Sequence, residues 1–187
     1  MIAEIQPSFS SHLSMSRKIE YQLSKIKEGN GKVLCTSTGD ELAAMPTYMK
    51  LISRLNDRVK LPYAEFILSL YPGESLSNEQ WISLTGEYIE RMGYGKSCYA
   101  VVLNTDKAHS HVHVLLTTID EEGKSIPAGN NYSRSEKISR ELELKYGLLP
   151  LERVGGKKIA LGESQYRSYY FDVALKKAMR SYNYKDK

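Results

Sequence analysis

The chain has 187 residues, of which 41% are hydrophobic and 26% charged, and its formal net charge is +4. These values are typical of one globular domain with its own core and argue against a disordered chain. No apolar run approaches the roughly 20 residues that span a bilayer, and the first residues lack a secretory signal. We therefore expect a cytoplasmic protein without a membrane segment. Cys35 and Cys98 form no CxxC pair and are expected to be free thiols.

The first part of the chain alternates between extended and helical patterns. Apolar residues at helical spacing, followed by Gly29, predict a first helix, and Pro46 interrupts or restarts a second one. Next comes a segment whose alternate residues are apolar, with Glu65 on its other face. In chain order we predict a strand over 1–6, a helix over 14–29, an extended piece over 29–38, a helix over 39–58 and a strand over 63–73.

The second part of the chain predicts a hairpin between two helices. Ser77 and Gln80 have the spacing of a capping box at the start of a helix over 77–95, and Ser133 and Glu136 have it at the start of a helix over 133–147. Between them lie strands over 97–104 and 111–120, whose short connection makes them antiparallel neighbours. The whole order predicts an α+β fold, a single antiparallel sheet with helices packed mainly on one face.

The end of the chain is basic and rich in tyrosine. From Arg153 onward there are nine Lys or Arg against three Asp or Glu, together with five tyrosines. Basic side chains neutralise phosphates and aromatic faces stack on unpaired bases, so this mixture suits single-stranded nucleic acid. An amphipathic helix with a solvated basic face explains it equally well. We predict a core over 1–150 and a helical extension over 151–187 that packs on or caps a DNA groove.

Three of the four histidines lie within five positions, in "HSHVH" over 109–113. Alternate side chains of a strand share a face, so His111 and His113 point the same way, about 6.5 to 7 Å apart along the strand. Val112, Val114 and Leu116 point the other way, into the core. Two neutral imidazoles at this spacing can bind one divalent cation. A pair of surface histidines without a ligand is the plainer interpretation of the same pattern.

Oxygen donors near these histidines favour the metal interpretation. Asn104 and Asp106 end the preceding strand, close to the histidines across the hairpin, and Glu65 is a carboxylate on an otherwise apolar strand. Two histidines with amide and carboxylate oxygens suit Mg or Mn better than a structural zinc site. His109, on the loop, is a spare ligand, a neighbour of the ligands or an exposed residue.

Several of these motifs occur together in one known family. The segment "MGYGKSCYAVVLNTDKAHSHVHVLLTTIDEEGKSI", followed by "NNYSRSEKISRELELKYGL", resembles the core of plasmid and transposon mobilisation relaxases, which are tyrosine nucleases of the HUH endonuclease superfamily. A weaker similarity extends to the N-terminus and so covers about residues 1–150. The resemblance implies a palm-like antiparallel sheet and the nicking and rejoining of one DNA strand at a transfer origin.

The resemblance also implies roles for individual residues. His111 and His113 match the two metal ligands of an H-x-H element, and Asp106 matches the acidic residue of an H-x-D element. Asn104 stands where the family has its first metal histidine, so the third ligand is in question, and His109 or Glu65 are substitutes for it. The implied cofactor is a divalent metal, Mg or Mn.

The family nucleophile is a tyrosine near the N-terminus, and Tyr21 occupies that place. Its phenolic oxygen would attack a DNA phosphodiester, release a 3′-hydroxyl and hold the 5′-phosphate as an ester. Glu65, a nearby histidine or a bound water could assist the loss of the phenolic proton. The competing tyrosines are Tyr48, Tyr63 and Tyr94.

Basic residues on two predicted helices could bind single-stranded DNA at the origin. Arg17 and Lys18 lie on the first helix, and Arg134 and Lys137 on the last. The same residues also fit ordinary solvated helix faces. Accessory mobilisation proteins are further possible partners.

Two other functions remain open. A non-catalytic DNA-binding module of the same fold is favoured by Asn104, which weakens the metal site. A replication-initiation nuclease of the same superfamily would use the same chemistry at a different origin, but its tyrosine generally follows the histidines, whereas Tyr21 precedes them.

Overall fold

A computed structural model of the protein describes residues 1–107 and 109–149. The strands are β1 (Ile2–Ile5), β2 (Gly31–Thr36), β3 (Tyr63–Ser69), β4 (Ser97–Asn104) and β5 (His111–Asp120). The α-helices are α1 (His12–Lys27), α2 (Met45–Ser53), α3 (Asn78–Arg91) and α4 (Asn131–Tyr146), and a 3₁₀ turn, Leu42–Ala44, precedes α2. The predicted extension over 151–187 lies outside the described residues.

The five strands form one antiparallel sheet in the order β1-β3-β5-β4-β2. The β4–β5 hairpin occupies its centre, as the short connection between the two strands predicted. The predicted α+β class with a single antiparallel sheet is therefore confirmed.

The helices cover both faces of this sheet, whereas the sequence predicted them mainly on one. On one face, residues of α3 and α4 such as Trp81 and Leu142 pack against Val101 and Val114. On the other face, residues of α1 and α2 such as Ile19 pack against the alternate strand residues, such as Val102 and Leu115. Strand β4 is apolar at most positions of both parities, which is typical of a strand buried on both sides. That pattern is the physical reason for the second layer of helices.

Helix ends agree with the sequence at two places and differ at one. The capping box of Ser77 and Gln80 is formed at the start of α3, and α2 begins with Pro46 in its first turn. The capping box predicted at Ser133 is wrong, because α4 begins at Asn131 after Asn130, whose φ of 56° is left-handed. Asparagine tolerates this conformation. No side-chain cap is formed at this helix start.

Both cysteines are free thiols, as expected, with Cys98 buried and Cys35 partly buried. Burial raises the pKa of each thiol. Within the described part of the chain, no helix is both long and apolar enough to cross a membrane.

A buried hydrogen bond joins the two helices of the α3/α4 layer. The hydroxyl of Tyr88 lies 2.6 Å from Oγ of Ser135. Both side chains are buried, so each hydroxyl depends on the other for its hydrogen bond. Burial raises the pKa of Tyr88 to about 12, although the Ser135 contact opposes this shift.

We predict that Tyr88→Phe lowers the free energy of unfolding by about 1–3 kcal/mol, because Ser135 would be left buried without its partner.

The raised pKa of Tyr88 makes the stability of the wild type depend on pH. Below the unfolded pKa of about 10, Tyr88 is protonated in both states and its contribution is fully present. That contribution is lost as pH rises toward the folded pKa of about 12. Urea unfolding across this alkaline range should therefore show a shallower decline for the variant. Tyr132→Phe is the matched control, since Tyr132 is 71% exposed, and a similar loss there would contradict the prediction.

Candidate active site

Four polar residues of the central strands lie on the face of the sheet that α1 covers. His111 and His113 share the parity of Leu115, and Asn104 shares that of Val102, both of which pack on the α1 side. Asn104 is directly opposite His111 in the β4–β5 register. Glu65, on β3, is diagonal to His113 and has the parity of Tyr63 on the same side. The structure thus brings together the predicted metal residues and Glu65.

His113 is held by a buried carboxylate. Its Nδ1 lies 2.6 Å from Oε1 of Glu65 and donates to it, which leaves Nε2 as the free ring nitrogen. The other oxygen of Glu65 accepts a hydrogen bond from Lys18 of α1 at 2.5 Å. Burial by itself raises the pKa of Glu65, but the hydrogen bonds from His113 and Lys18 outweigh it and hold the pKa below its usual value. Glu65 is therefore charged at neutral pH and orients the His113 ring.

His111 has a similar arrangement with different partners. Its Nδ1 faces the backbone carbonyl of His109 at 3.4 Å, and its Nε2 lies 3.8 Å from Oδ1 of Asp106. Burial lowers its pKa, and the neighbouring His113 adds to this effect. The ring is consequently neutral at pH 7, the form that binds metals. The centroids of the His111 and His113 rings are 5.3 Å apart.

Asp106 lies at the start of the β4–β5 loop and is paired with α1. Lys25 contacts its Oδ2 at 3.4 Å, while Oδ1 faces His111. Partial desolvation by itself raises the pKa of Asp106. The effects of Lys25 and His111 outweigh it, so the net shift of this pKa is downward. The loop is fixed beside it, because the backbone N–H of Thr105 donates to the carbonyl of Asn30 at 2.9 Å.

Asn104 is bound to a residue that the sequence analysis missed. Its Nδ2 donates to Oε1 of Gln22 at 2.9 Å, and the two side chains are 1% and 2% exposed. Its Oδ1 is buried without a hydrogen-bond partner. That oxygen lies against Gly31 of β2, where an added Cβ would approach it to 3.1 Å, whereas His111 is on the opposite neighbour, β5. The only signal for Gln22 was a polar residue on the buried stripe of α1, three positions after Ile19.

Tyr21 lies on α1 above this face of the sheet and is 50% exposed. On a helix, positions three before and four after a residue are its surface neighbours. Here those neighbours are Lys18 and Lys25, which contact Glu65 and Asp106. The ammonium of Lys25 is 5.5 Å from the centroid of the Tyr21 ring. The phenol is therefore accessible and next to side chains that bind the histidine site.

The competing tyrosines are less suitable. Tyr63 and Tyr94 are each 1% exposed, and Tyr94 packs in the α3/α4 layer, on the other side of the sheet. Tyr63 donates its hydroxyl to Oγ of Ser53. Tyr48 is on α2, and a hydrogen bond with Asp40 raises its pKa. Of these tyrosines, Tyr21 alone combines exposure with a position among the site contacts.

The four predicted DNA-binding residues are not brought together. Arg17 and Lys18 lie on α1, with Arg17 exposed. Arg134 and Lys137 lie on α4, in the layer on the opposite face of the sheet. Arg134 is engaged locally, because it donates to the carbonyl of Pro127 and to Oδ1 of Asn131. A single groove lined by all four residues is therefore not what the structure shows.

Within residues 1–107 and 109–149, no group of three or more His, Cys, Asp or Glu is arranged to hold a metal ion. The donors nevertheless have the chemistry of a mixed nitrogen and oxygen site. Both Nδ1 atoms face oxygen acceptors, which leaves Nε2 of each imidazole free, as in metal sites where a second partner orients the ligand. The donor types of His111, His113 and Asp106 therefore suit a divalent cation, whereas their arrangement in the described residues is not that of a three-ligand group.

We predict that Gly31→Ala destabilises the protein by about 1–3 kcal/mol, the usual cost of overpacking. The new Cβ would lie 3.1 Å from Oδ1 of Asn104 and 3.2 Å from the backbone nitrogen of Ile26. Gly86→Ala on α3 is the matched control, because its Cβ would meet nothing within 4 Å and alanine favours helix. Urea unfolding measures both, and equal stability of the two variants would contradict the predicted contact.

Comparison with known proteins assigns the chain to a family. Residues 21–148 match the model of the family described as "Relaxase: MobA/VirD2-like, nuclease domain". A search of curated proteins found no match. A solved structure described as "Molecular Basis of Vancomycin Resistance Transfer in Staphylococcus aureus" is similar at 14% identity and a TM-score of 0.49, over 85% of this chain and 100% of that chain. The family match spans most of the chain, so the protein belongs to the MobA/VirD2-like relaxases and contains their nuclease domain, which is an enzyme domain.

Proposed function

We propose that this protein nicks and rejoins one strand of DNA at a plasmid or transposon transfer origin through a covalent 5′-phosphotyrosine at Tyr21. The observation that carries the proposal is the contact of α1 with the histidine face on both sides of Tyr21. Lys18 reaches the carboxylate that holds His113, and Lys25 reaches the carboxylate that faces His111. The nucleophile and the metal residues are thereby fixed relative to each other.

In the proposed reaction, the phenolic oxygen of Tyr21 forms a bond to phosphorus as the bond from phosphorus to O3′ breaks. The phenolic proton passes to the medium, and the departing oxygen takes up a proton to become a 3′-hydroxyl. Attack by a 3′-hydroxyl on the phosphotyrosine reverses these steps and rejoins the strand. The phosphotyrosine ester thus keeps the phosphate in a form that a 3′-hydroxyl can attack to restore the phosphodiester.

A divalent cation, Mg or Mn, polarises the scissile phosphate and offsets its charge when bound. His111 and His113 would hold it, with Asn104 or Asp106 supplying an oxygen. Glu65 serves in this proposal as a positioning residue, because both of its oxygens are engaged by His113 and Lys18. Arg17 and Lys18 supply positive charge for the DNA backbone beside Tyr21.

The nucleophile is tested by adduct formation. The full chain is incubated with Mn²⁺ and single-stranded oligonucleotides that tile the plasmid or transposon carrying its gene. We expect one oligonucleotide to yield an adduct that survives denaturing electrophoresis, and peptide mapping to place it on Tyr21. Tyr21→Phe should remove the adduct while leaving DNA binding intact.

Tyr132→Phe is the matched control, because this exposed tyrosine lies on α4, across the sheet from the site. It should form the adduct at the wild-type rate. DNA binding without any adduct, with either Mg²⁺ or Mn²⁺, would instead support the non-catalytic module. An adduct mapped to another tyrosine would reject Tyr21.

Glu65→Gln tests the positioning role. We expect Mn²⁺ affinity to fall about 10- to 100-fold, the usual effect of losing a partner that orients a metal ligand. The cause is that a neutral amide orients the His113 ring less firmly and leaves Lys18 without its anion. Calorimetric titration with Mn²⁺ measures the change. Glu41→Gln, at an exposed position outside the site, should bind like the wild type, and unchanged affinity of Glu65→Gln would refute the role.

A further inference from the structure

The ammonium of Lys25 lies over the ring of the proposed nucleophile. Its Nζ is 5.5 Å from the centroid of the Tyr21 ring. The two residues are four positions apart on α1, a spacing at which side chains of a helix are surface neighbours. The contact therefore follows from the helix itself and does not depend on how α1 packs on the sheet.

A cation in this place distinguishes the two protonation states of a phenol. A neutral phenol attracts the cation only through the quadrupole of its ring. In a phenolate the negative charge is shared between the oxygen and the ring, so the attraction is one between opposite charges and is stronger. The phenolate is also the form of tyrosine that attacks phosphorus.

Two carboxylates hold Lys25 beside Tyr21. Its Nζ lies 3.4 Å from Oε2 of Glu28 on α1 and 3.4 Å from Oδ2 of Asp106 on the β4–β5 loop. Burial by itself lowers the pKa of Lys25, but Glu28, the ionised form of Tyr21 and Asp106 outweigh it, so the net shift is upward. Lys25 is therefore still charged at the pH at which a phenol begins to ionise.

The other cations near Tyr21 are less suited to this task. Lys18, three positions before Tyr21, lies 2.5 Å from Oε2 of Glu65 and neutralises that buried carboxylate of β3. Arg17, four positions before Tyr21, is exposed and can contact the DNA backbone. Lys25 is the cation of α1 that the structure places over the Tyr21 ring.

We propose that Lys25 activates Tyr21 by stabilising its phenolate, a role that rests on the proposed function. In strand cleavage the phenolic proton leaves to the medium and Lys25 keeps all of its own protons. The phenolate oxygen then bonds to phosphorus as the bond from phosphorus to O3′ breaks. In rejoining, the same oxygen departs from phosphorus as a phenolate. One ammonium therefore assists the transfer in both directions.

The first test measures the reactivity of the phenolate in the full chain without DNA. Tetranitromethane nitrates tyrosines through the phenolate, and peptide mapping measures nitration of Tyr21 and Tyr132 separately. Lys25→Met should slow nitration of Tyr21 about 3- to 10-fold, because the cation is removed. Tyr132 lies on α4 and is 71% exposed, so its nitration should not change.

Two further variants separate charge from shape. Lys25→Arg keeps a cation that can lie over an aromatic ring and should restore most of the Tyr21 nitration rate. Lys27→Met is the matched control, because it removes one positive charge from an exposed position of the same helix. Nitration of both tyrosines in this variant should equal that of the wild type.

The second test measures the rate of adduct formation at saturating DNA. At neutral pH, Lys25→Met should form the Tyr21 adduct about 3- to 10-fold more slowly than the wild type. The difference should narrow as the pH approaches about 10, where a phenol ionises without assistance. Lys25→Arg should again resemble the wild type.

Two results would overturn the role of Lys25. One is nitration of Tyr21 at the wild-type rate in Lys25→Met. The other is an adduct rate that is unchanged at saturating DNA or falls by the same factor at every pH, as loss of a DNA or structural contact would produce. A wild-type chain that forms no adduct would instead reject the proposed function, while nitration still decides whether Lys25 stabilises the phenolate. Lys25→Gln replaces Lys25→Met if thermal unfolding shows the latter to be unfolded.

Discussion

The two-residue alternation of β5 is the constraint on which the rest of this structure depends. Val112 and Val114 face the layer of α3 and α4, while His111 and His113 face α1. A shift of one residue would exchange the two sets, placing the imidazoles in the apolar core under α3 and α4 and the valines at the polar site under α1. The hydrophobic effect therefore fixes the register that presents both histidines to the helix that carries Tyr21.

The charged residues at the site are stabilised by ion pairs and hydrogen bonds rather than by contact with solvent. Glu65 is 4% exposed, yet its pKa is lowered because His113 and Lys18 both donate to it. An unpaired carboxylate at this depth would be protonated or destabilising. The lysines of α1 therefore have two effects: they neutralise the buried charge, and they fix the helix on which Tyr21 lies.

Much of this arrangement could be predicted from the sequence, and the failures have physical reasons. Alternation along the hairpin and the Gly29 stop are local patterns, so the strands, α1 and the face shared by His111 and His113 were predictable. The second layer of helices differs from the prediction, although apolar residues of both parities in β4 indicate burial on both faces. Contacts such as Gln22 with Asn104, 82 residues apart, depend on how α1 lies on the sheet. No local pattern encodes that placement.

The α4 prediction failed for a different reason. Ser133 and Glu136 have the spacing of a capping box, but the left-handed Asn130 starts the helix three residues earlier than that box requires. The DNA-binding role of Arg134 and Lys137 stays a prediction, but these residues lie across the sheet from Arg17 and Lys18, because the sequence does not show which face of the sheet a helix covers. Spacing along the chain therefore predicts which residues belong to the site, but it does not predict which residues contact one another across the fold.

The sharing of Glu65 between Lys18 and His113 also constrains how this site can evolve. The three positions lie on α1, β3 and β5 and are joined through one carboxylate. A substitution that removes the charge of Lys18 or Glu65 leaves its partner unpaired at the site, so such changes should be tolerated best when the partner changes as well. In a laboratory library these three codons should therefore be randomised together.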